Sequence, residues 1–161
     1  MDILQDKIRQ QAVDLGLCDQ YQEEWKSPLS IAQLCRLFHR GQDFCIKHNY
    51  PSIEDIRKFG EEPKRYGVYA TDGISTDQSS VVVVGDADVI IVVHGVSDIT
   101  ARHNSTVRIR LAGDAFCYVS AYDNCRVIVE QKDEKSRLCM SYWSGEICGN
   151  EKFDKINYKN Q

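Results

Sequence analysis

The feature that most constrains this chain is a repeat. Counted in twenties from Val81, the sequence reads VVVVGDADVIIVVHGVSDIT, ARHNSTVRIRLAGDAFCYVS and AYDNCRVIVEQKDEKSRLCM, followed by a fainter fourth row, SYWSGEICGNEKFDKINYKN. No gap is introduced. The seventh column then holds Ala87, Val107, Val127 and Ile147, and the ninth holds Val89, Ile109, Val129 and Gly149. Ile99, Val119 and Cys139 share the nineteenth, and Val81, Ala101, Ala121 and Ser141 the first. A period of about twenty residues marks a stack of units, each too small to bury its own apolar face.

Within a row, apolar and polar positions alternate: Arg108 and Arg110 separate Val107, Ile109 and Leu111. Period two is the signature of a strand with one face inward. A second apolar cluster follows about ten residues later, as Val96/Ile99 and Phe116/Val119. Short strands joined by corners at this spacing predict a parallel β-solenoid of about twenty residues per coil. Asn104 and Asn124, sharing a column, are read as corner residues that tolerate left-handed backbone. The alternative is an antiparallel β-sandwich or meander, whose strands recur every 8–12 residues. Against it, the region lacks Asn-Gly and Asp-Gly hairpin turns, and a meander has no reason to repeat its corners.

Ahead of the repeat, residues 1–65 read as a helical cap. Ile3, Leu4, Ile8, Ala12 and Leu15 recur at helical steps, and a short helix covers Asp19–Lys26. Ser30–Lys47 is the strongest helical stretch, with Ile31, Leu34, Phe38, Gly41 and Cys45 on one stripe. Gly41 there implies either the close approach of another element or a break. Asn49 and Pro51 stop this helix, and Ser52-x-x-Asp55 starts a last one that ends at Gly60. The expected class is therefore α+β: a helical cap (1–65), a solenoid (66–145) with Thr71–Ser80 as a loop, and a C-terminal cap or arm (146–161). The helices are assigned the role of a lid, because a bare solenoid end exposes unpaired backbone groups.

Net charge is -4 and the sequence pI about 5.6, with no local run of Lys or Arg, so nucleic acid is not expected as a partner. Val81–Val96 is interrupted by Asp86, Asp88 and His94 and is too short to span a bilayer, so no membrane association is expected. The charged start, MDILQDKIRQQ, lacks the apolar core of an export signal. Seven cysteines without a CxxC pair read as free thiols in a reducing, cytoplasmic setting.

Four groups of residues are candidates for chemistry or binding. Arg102, Tyr122 and Tyr142 share one column and His103, Asp123 and Trp143 the next, an aromatic and charged edge of the kind interfaces favour. If His103 and Asp123 sit on adjacent rungs, the carboxylate is expected to favour the imidazolium. Cys35, His39, Cys45 and His48 have the residue types of a zinc site, but on one continuous helix they spread around half the circumference, so no metal is assigned. Cys117, Cys125, Cys139 and Cys148 have no His at a fixed offset to activate them and read as buried hydrophobes. Arg110 and Glu130 form an expected surface ion pair, while Asp114 and Glu134, with His94 ahead of them, make a like-charged column.

The segments GLCDQYQEEW, RGQDFCIKHNYPS and KRYGVY, with the repeats behind them, resemble uncharacterised proteins of gut Bacteroidales and of their phages or other mobile elements. The resemblance spans nearly the whole chain. It implies a cytosolic or phage-linked accessory role, with no activity attached. In spacing alone the rows are also similar to other bacterial β-solenoids, including the bactofilins.

These readings converge on a non-catalytic structural or interaction protein without a cofactor, which presents a solenoid surface to a protein partner or to itself. Two alternatives stand beside it: a phage virion or accessory component (then located in the virion), and a polysaccharide-binding or polysaccharide-active β-helix.

Overall fold

The computed structural model describes residues 2–26, 28–142, 146–149 and 154–157, with side chains described for 3–26 and 28–141. It divides into two compact units, Met1–Tyr66 and Gly67–Gln161.

The first unit is built from short helices: α1 (Asp2–Asp14), α2 (Asp19–Glu24), α3 (Ile31–Arg40), α4 (Gln42–His48), α5 (Ile53–Arg57) and a 3₁₀ turn at Glu62–Tyr66. Ser30 opens α3 with a full capping box: its Oγ accepts the Gln33 N–H at 3.3 Å, and the Gln33 side chain accepts the Ser30 N–H at 2.9 Å. The expected single helix Ser30–Lys47 is two, because the chain breaks at Gly41. A Cβ on Gly41 would stand 3.1 Å from the Leu37 carbonyl oxygen and 3.7 Å from the Tyr21 ring, so both the break and the close approach are present. Asn49 ends α4 in the left-handed conformation (φ 48°), and the Ser52 Oγ receives the Asp55 N–H at the start of α5. Ile8, Ala12, Trp25, Cys45 and Tyr50 form the core of this unit. The Tyr50 hydroxyl donates to the Ile8 carbonyl at 2.8 Å, which satisfies a polar atom that burial would otherwise penalise.

The second unit is a parallel β-solenoid of two facing sheets. Its strands are β1 (Val68–Tyr69), β2 (Gly73–Thr76), β3 (Ser80–Val83), β4 (Asp88–Val93), β5 (Val96–Ala101), β6 (Thr106–Leu111), β7 (Phe116–Ala121), β8 (Arg126–Lys132), β9 (Arg137–Tyr142), β10 (Glu146–Gly149) and β11 (Asp154–Asn157). Odd strands make one sheet and even strands the other. Every described pairing is parallel, which excludes the meander. Each coil therefore has two strands and two corners. The stack begins earlier than the repeat suggests, since β2 lies within the expected loop Thr71–Ser80. It also runs later, since β10 and β11 continue it into 146–161.

The coils are not of equal length. Asp88 lies opposite Thr106, 18 residues on; Val96 opposite Phe116, 20 on; and Phe116 opposite Arg137, 21 on. Two local features account for this. The corner after β4 is only His94-Gly95, whereas the corresponding corner after β6 is Ala112–Ala115, and β8 carries one extra residue where the register slips past Glu130. The ungapped columns are corrected accordingly. Val107 and Val127 do stack, but the residue below Val107 is Val89 and not Ala87, and Ile109 stands on Ile91. Val119 lies beneath Met140, not Cys139, and Ala101 stands on Val83, not Val81. Where the slip is two residues, as at Val107 and Ala101, the inward-outward alternation is preserved and the uncorrected columns still matched in size; the slip of one at Val119 replaces Cys139, which faces outward, by the buried Met140.

The inward columns are Val89/Val107/Val127 and Ile91/Ile109/Val129 from one sheet, and Val81/Ile99/Val119/Met140 from the other. All but Val129 are within 1% of complete burial. Burying each such aliphatic side chain stabilises by roughly 1.5–3 kcal/mol, before the entropy of ordering the chain is counted.

Candidate interaction surface

The corner that carries the expected edge repeats as Val84–Ala87, Arg102–Ser105 and Tyr122–Cys125. A tight parallel corner needs one residue in the left-handed region. Gly85 (φ 76°), His103 (φ 62°) and Asp123 (φ 59°) occupy it. The expected left-handed residues, Asn104 and Asn124, come one position later. Their backbone N–H groups bond the carbonyls of Gly85 and His103 at 2.9 and 3.0 Å, tying coil to coil.

A second set of bonds uses side chains. The Gly85 N–H donates to His103 Nδ1 at 3.2 Å, and the His103 N–H donates to Asp123 Oδ2 at 2.9 Å. The same device recurs on the opposite side of the coil. There the Gly113 N–H donates to Asp133 Oδ2, and the His94 N–H to Asp77 Oδ1, each at 2.8 Å. Corner N–H groups lie outside the sheet ladders, and an acceptor on the neighbouring coil satisfies them.

His103 and Asp123 thus stack as expected, but not as an ion pair. The carboxylate is turned to the backbone, and burial, followed by the adjacent Arg102 charge, pushes the His103 pKa down, with Asp123 opposing only weakly. The expected imidazolium is replaced by a neutral ring whose Nδ1 is an acceptor. Of the other edge residues, Arg102 is buried, Tyr122 half-buried and Asp123 exposed. Tyr142 does not continue the Arg102/Tyr122 column, because the extra residue in β8 sets its backbone opposite Ala121. Trp143 lies outside the described residues.

The zinc candidates do not converge. His39 Nε2 meets the Tyr66 carbonyl at 2.7 Å, His48 packs against Phe44 with ring centroids 4.7 Å apart and planes tilted by 43°, and Cys35 and Cys45 are buried. Among the described residues, no group of three or more His, Cys, Asp or Glu is placed to hold a metal ion. Burial pushes the Cys117 thiol up to about 12 and the Cys125 thiol up to about 11, so neither supplies a thiolate near neutrality. His94 finds its carboxylate in the preceding coil, where both Asp77 oxygens lie 3.1 Å from its Nδ1.

On the outer face of the even-stranded sheet, Arg110 pairs with Glu130 at 2.8 Å as expected. Arg108 adds contacts the repeat did not suggest, to Asp88 at 2.9 Å and to Glu130 at 3.5 Å. The bulge at Glu130 sets this carboxylate between two arginines of β6.

The outer face of the odd-stranded sheet holds the residues that the apolar clusters concealed. Val96 is 71% exposed and Phe116 41% exposed, adjacent in register, with Arg137 next in the column. Ser97, Cys117 and Leu138 face inward instead. The signal was present: Val96 and Ile99 are an odd number of residues apart, and on a strand such residues point to opposite faces.

Fold and corners define the class: a two-sheet parallel β-solenoid with an N-terminal helical unit, its coils joined by side-chain-to-backbone hydrogen bonds. Compared with protein-family models, with curated proteins and with solved structures, the chain finds no match in any of the three. Among the described residues, no helix is long and apolar enough to cross a membrane.

Proposed function

We propose that this chain is a non-catalytic structural or interaction protein that presents a solenoid surface to a protein partner or to a second copy of itself, in the cytoplasm or, if phage-encoded, on a virion. One observation carries the reading. The outer sheet face combines the rigidity of continuous parallel ladders with large apolar side chains left in water at Val96 and Phe116. The polar corner residues support it from the other side, since His103, Asp123, Asp133 and Asp77 are engaged in holding coils together. The raised thiol pKa values of Cys117 and Cys125 favour a packing role over a nucleophilic one.

The test has two arms. Light scattering during size-exclusion chromatography reads association directly, and incubation with neutral and acidic polysaccharides reads turnover. Polysaccharide cleavage abolished by an acidic-residue substitution would replace this reading with the enzymatic one.

A further inference from the structure

Resting on that reading, we propose that the outer face of the odd-stranded sheet is a self-association surface on which a second copy of this chain docks through a two-fold contact centred on Phe116. Three rungs supply it. Val96, Phe116 and Arg137 form one outward column, and Asp98, Tyr118 and Cys139 form the next, two residues along each strand. Val96, Asp98, Phe116 and Arg137 are exposed, and Tyr118 and Cys139 are half-buried. The Tyr118 hydroxyl is 2.9 Å from Ser141 Oγ, which holds its ring against the sheet. The centre of the patch is aromatic and aliphatic, and its charges sit at the rim, the anatomy of a protein interface.

The arrangement of charge selects the occupant. Asp98 and Arg137 stand at diagonal corners, two rungs and two residues apart, which is about 12 Å between their backbones. A two-fold axis lying in the plane of the face, oblique to the strands and passing between Phe116 and Tyr118, exchanges those corners. Arg137 of each copy then faces Asp98 of the other, and the ion pair forms twice, as an isologous contact requires. Phe116 and Tyr118 of the two copies meet at the centre, where aromatic side chains contribute most to binding. The contact engages six residues of each copy, fewer than the roughly 20–30 a side of a standard interface, so the dimer is expected to be weak and to need a high protein concentration.

Sedimentation velocity over a concentration series on the full chain tests this, with circular dichroism confirming that each variant is folded. The wild type is expected to shift from monomer to dimer, and Phe116→Glu to weaken association about tenfold or more. The charge swap is the stricter arm and does not depend on the Phe116 variant folding. Arg137→Asp and Asp98→Arg are each expected to be monomeric alone, through two like-charge contacts per dimer. Mixing the two variants restores both ion pairs and yields the heterodimer. A wild type that stays monomeric near 1 mM, or association indifferent to Phe116→Glu and to the mixing, would overturn the docking surface. Neither result bears on the polysaccharide assay, whose outcome decides the broader reading separately.

Discussion

At His103 a single ring nitrogen joins two coils, and this gives the corner a pH dependence. The folded chain holds the His103 pKa below its ordinary 6.5, through burial first and Arg102 second, with Asp123 pulling the other way. The folded state therefore binds this proton less readily than the unfolded state. Its contribution is complete above about 6.5 and is lost as the pH falls through the lowered folded value. His103→Asn keeps an acceptor and tolerates left-handed backbone. It is expected to flatten that part of the profile, measured as the wild-type-minus-variant difference in urea midpoints between pH 7 and 5. Asp55 behaves in the manner usual for a carboxylate. Lys58 is the largest cause holding it down to about 2, with Lys7 and Ser52 helping against the cost of burial. Its contribution is present above the ordinary 3.8 and disappears as the pH falls toward about 2. Asp55→Asn is expected to cost about 2 kcal/mol at neutral pH, by loss of the charge-assisted hydrogen bonds to Lys58 at the end of α5 and to Lys7 of α1. In denaturation experiments that deficit should shrink in acid.

The strand and the corner differ in what they tolerate. Inside a strand the side-chain period is two, so one inserted residue turns every later side chain to the opposite face. An insertion after Val107 would carry Ile109 and Leu111 from the interior into water, and loss of the cooperative unfolding transition of this unit is expected. A corner is free of that period, and where its coil-to-coil bonds are kept the cost of closure rises slowly with length. Two residues inserted between His94 and Gly95, so that the His94 N–H keeps its bond to Asp77 and the corner matches the four-residue Ala112–Ala115, are expected to change stability by less than about 1 kcal/mol. The chain already displays this tolerance, with coil steps of 18, 20 and 21 residues in one stack. The same contrast explains what was legible. Alternation in Thr106–Leu111 identified a strand from residues alone. The left-handed position of the corner did not show itself, because Gly85, His103 and Asp123 share no side-chain chemistry, only a backbone angle.

Across the solenoid, each coil touches mainly the coils before and after it, so stability is close to a sum of neighbouring interfaces. A defect at the middle of such a stack weakens two interfaces at once. Ile109 is fully buried between Ile91 and Val129, and Ile109→Ala is expected to cost about 3 kcal/mol by urea denaturation. Hydrogen exchange should be slowest in β6 and β7, which have paired neighbours on both sides several coils deep.

The sequence by itself determined that the chain stacks. Period two within a row sets the inward and outward faces, and recurrence near twenty, corners included, demands that rows superpose in parallel. Only the tertiary structure decided which residues superpose, because the short corner at His94-Gly95 slips the register by two and leaves the alternation intact, while the extra residue in β8 slips it by one, and the backbone ladder alone distinguishes the registers. It also decided what the polar residues do. A carboxylate paired with an arginine one rung away, as Glu130 is with Arg110, and one turned to a backbone N–H, as Asp123 is, read alike in the sequence, and the difference is a matter of which donor lies within 3 Å.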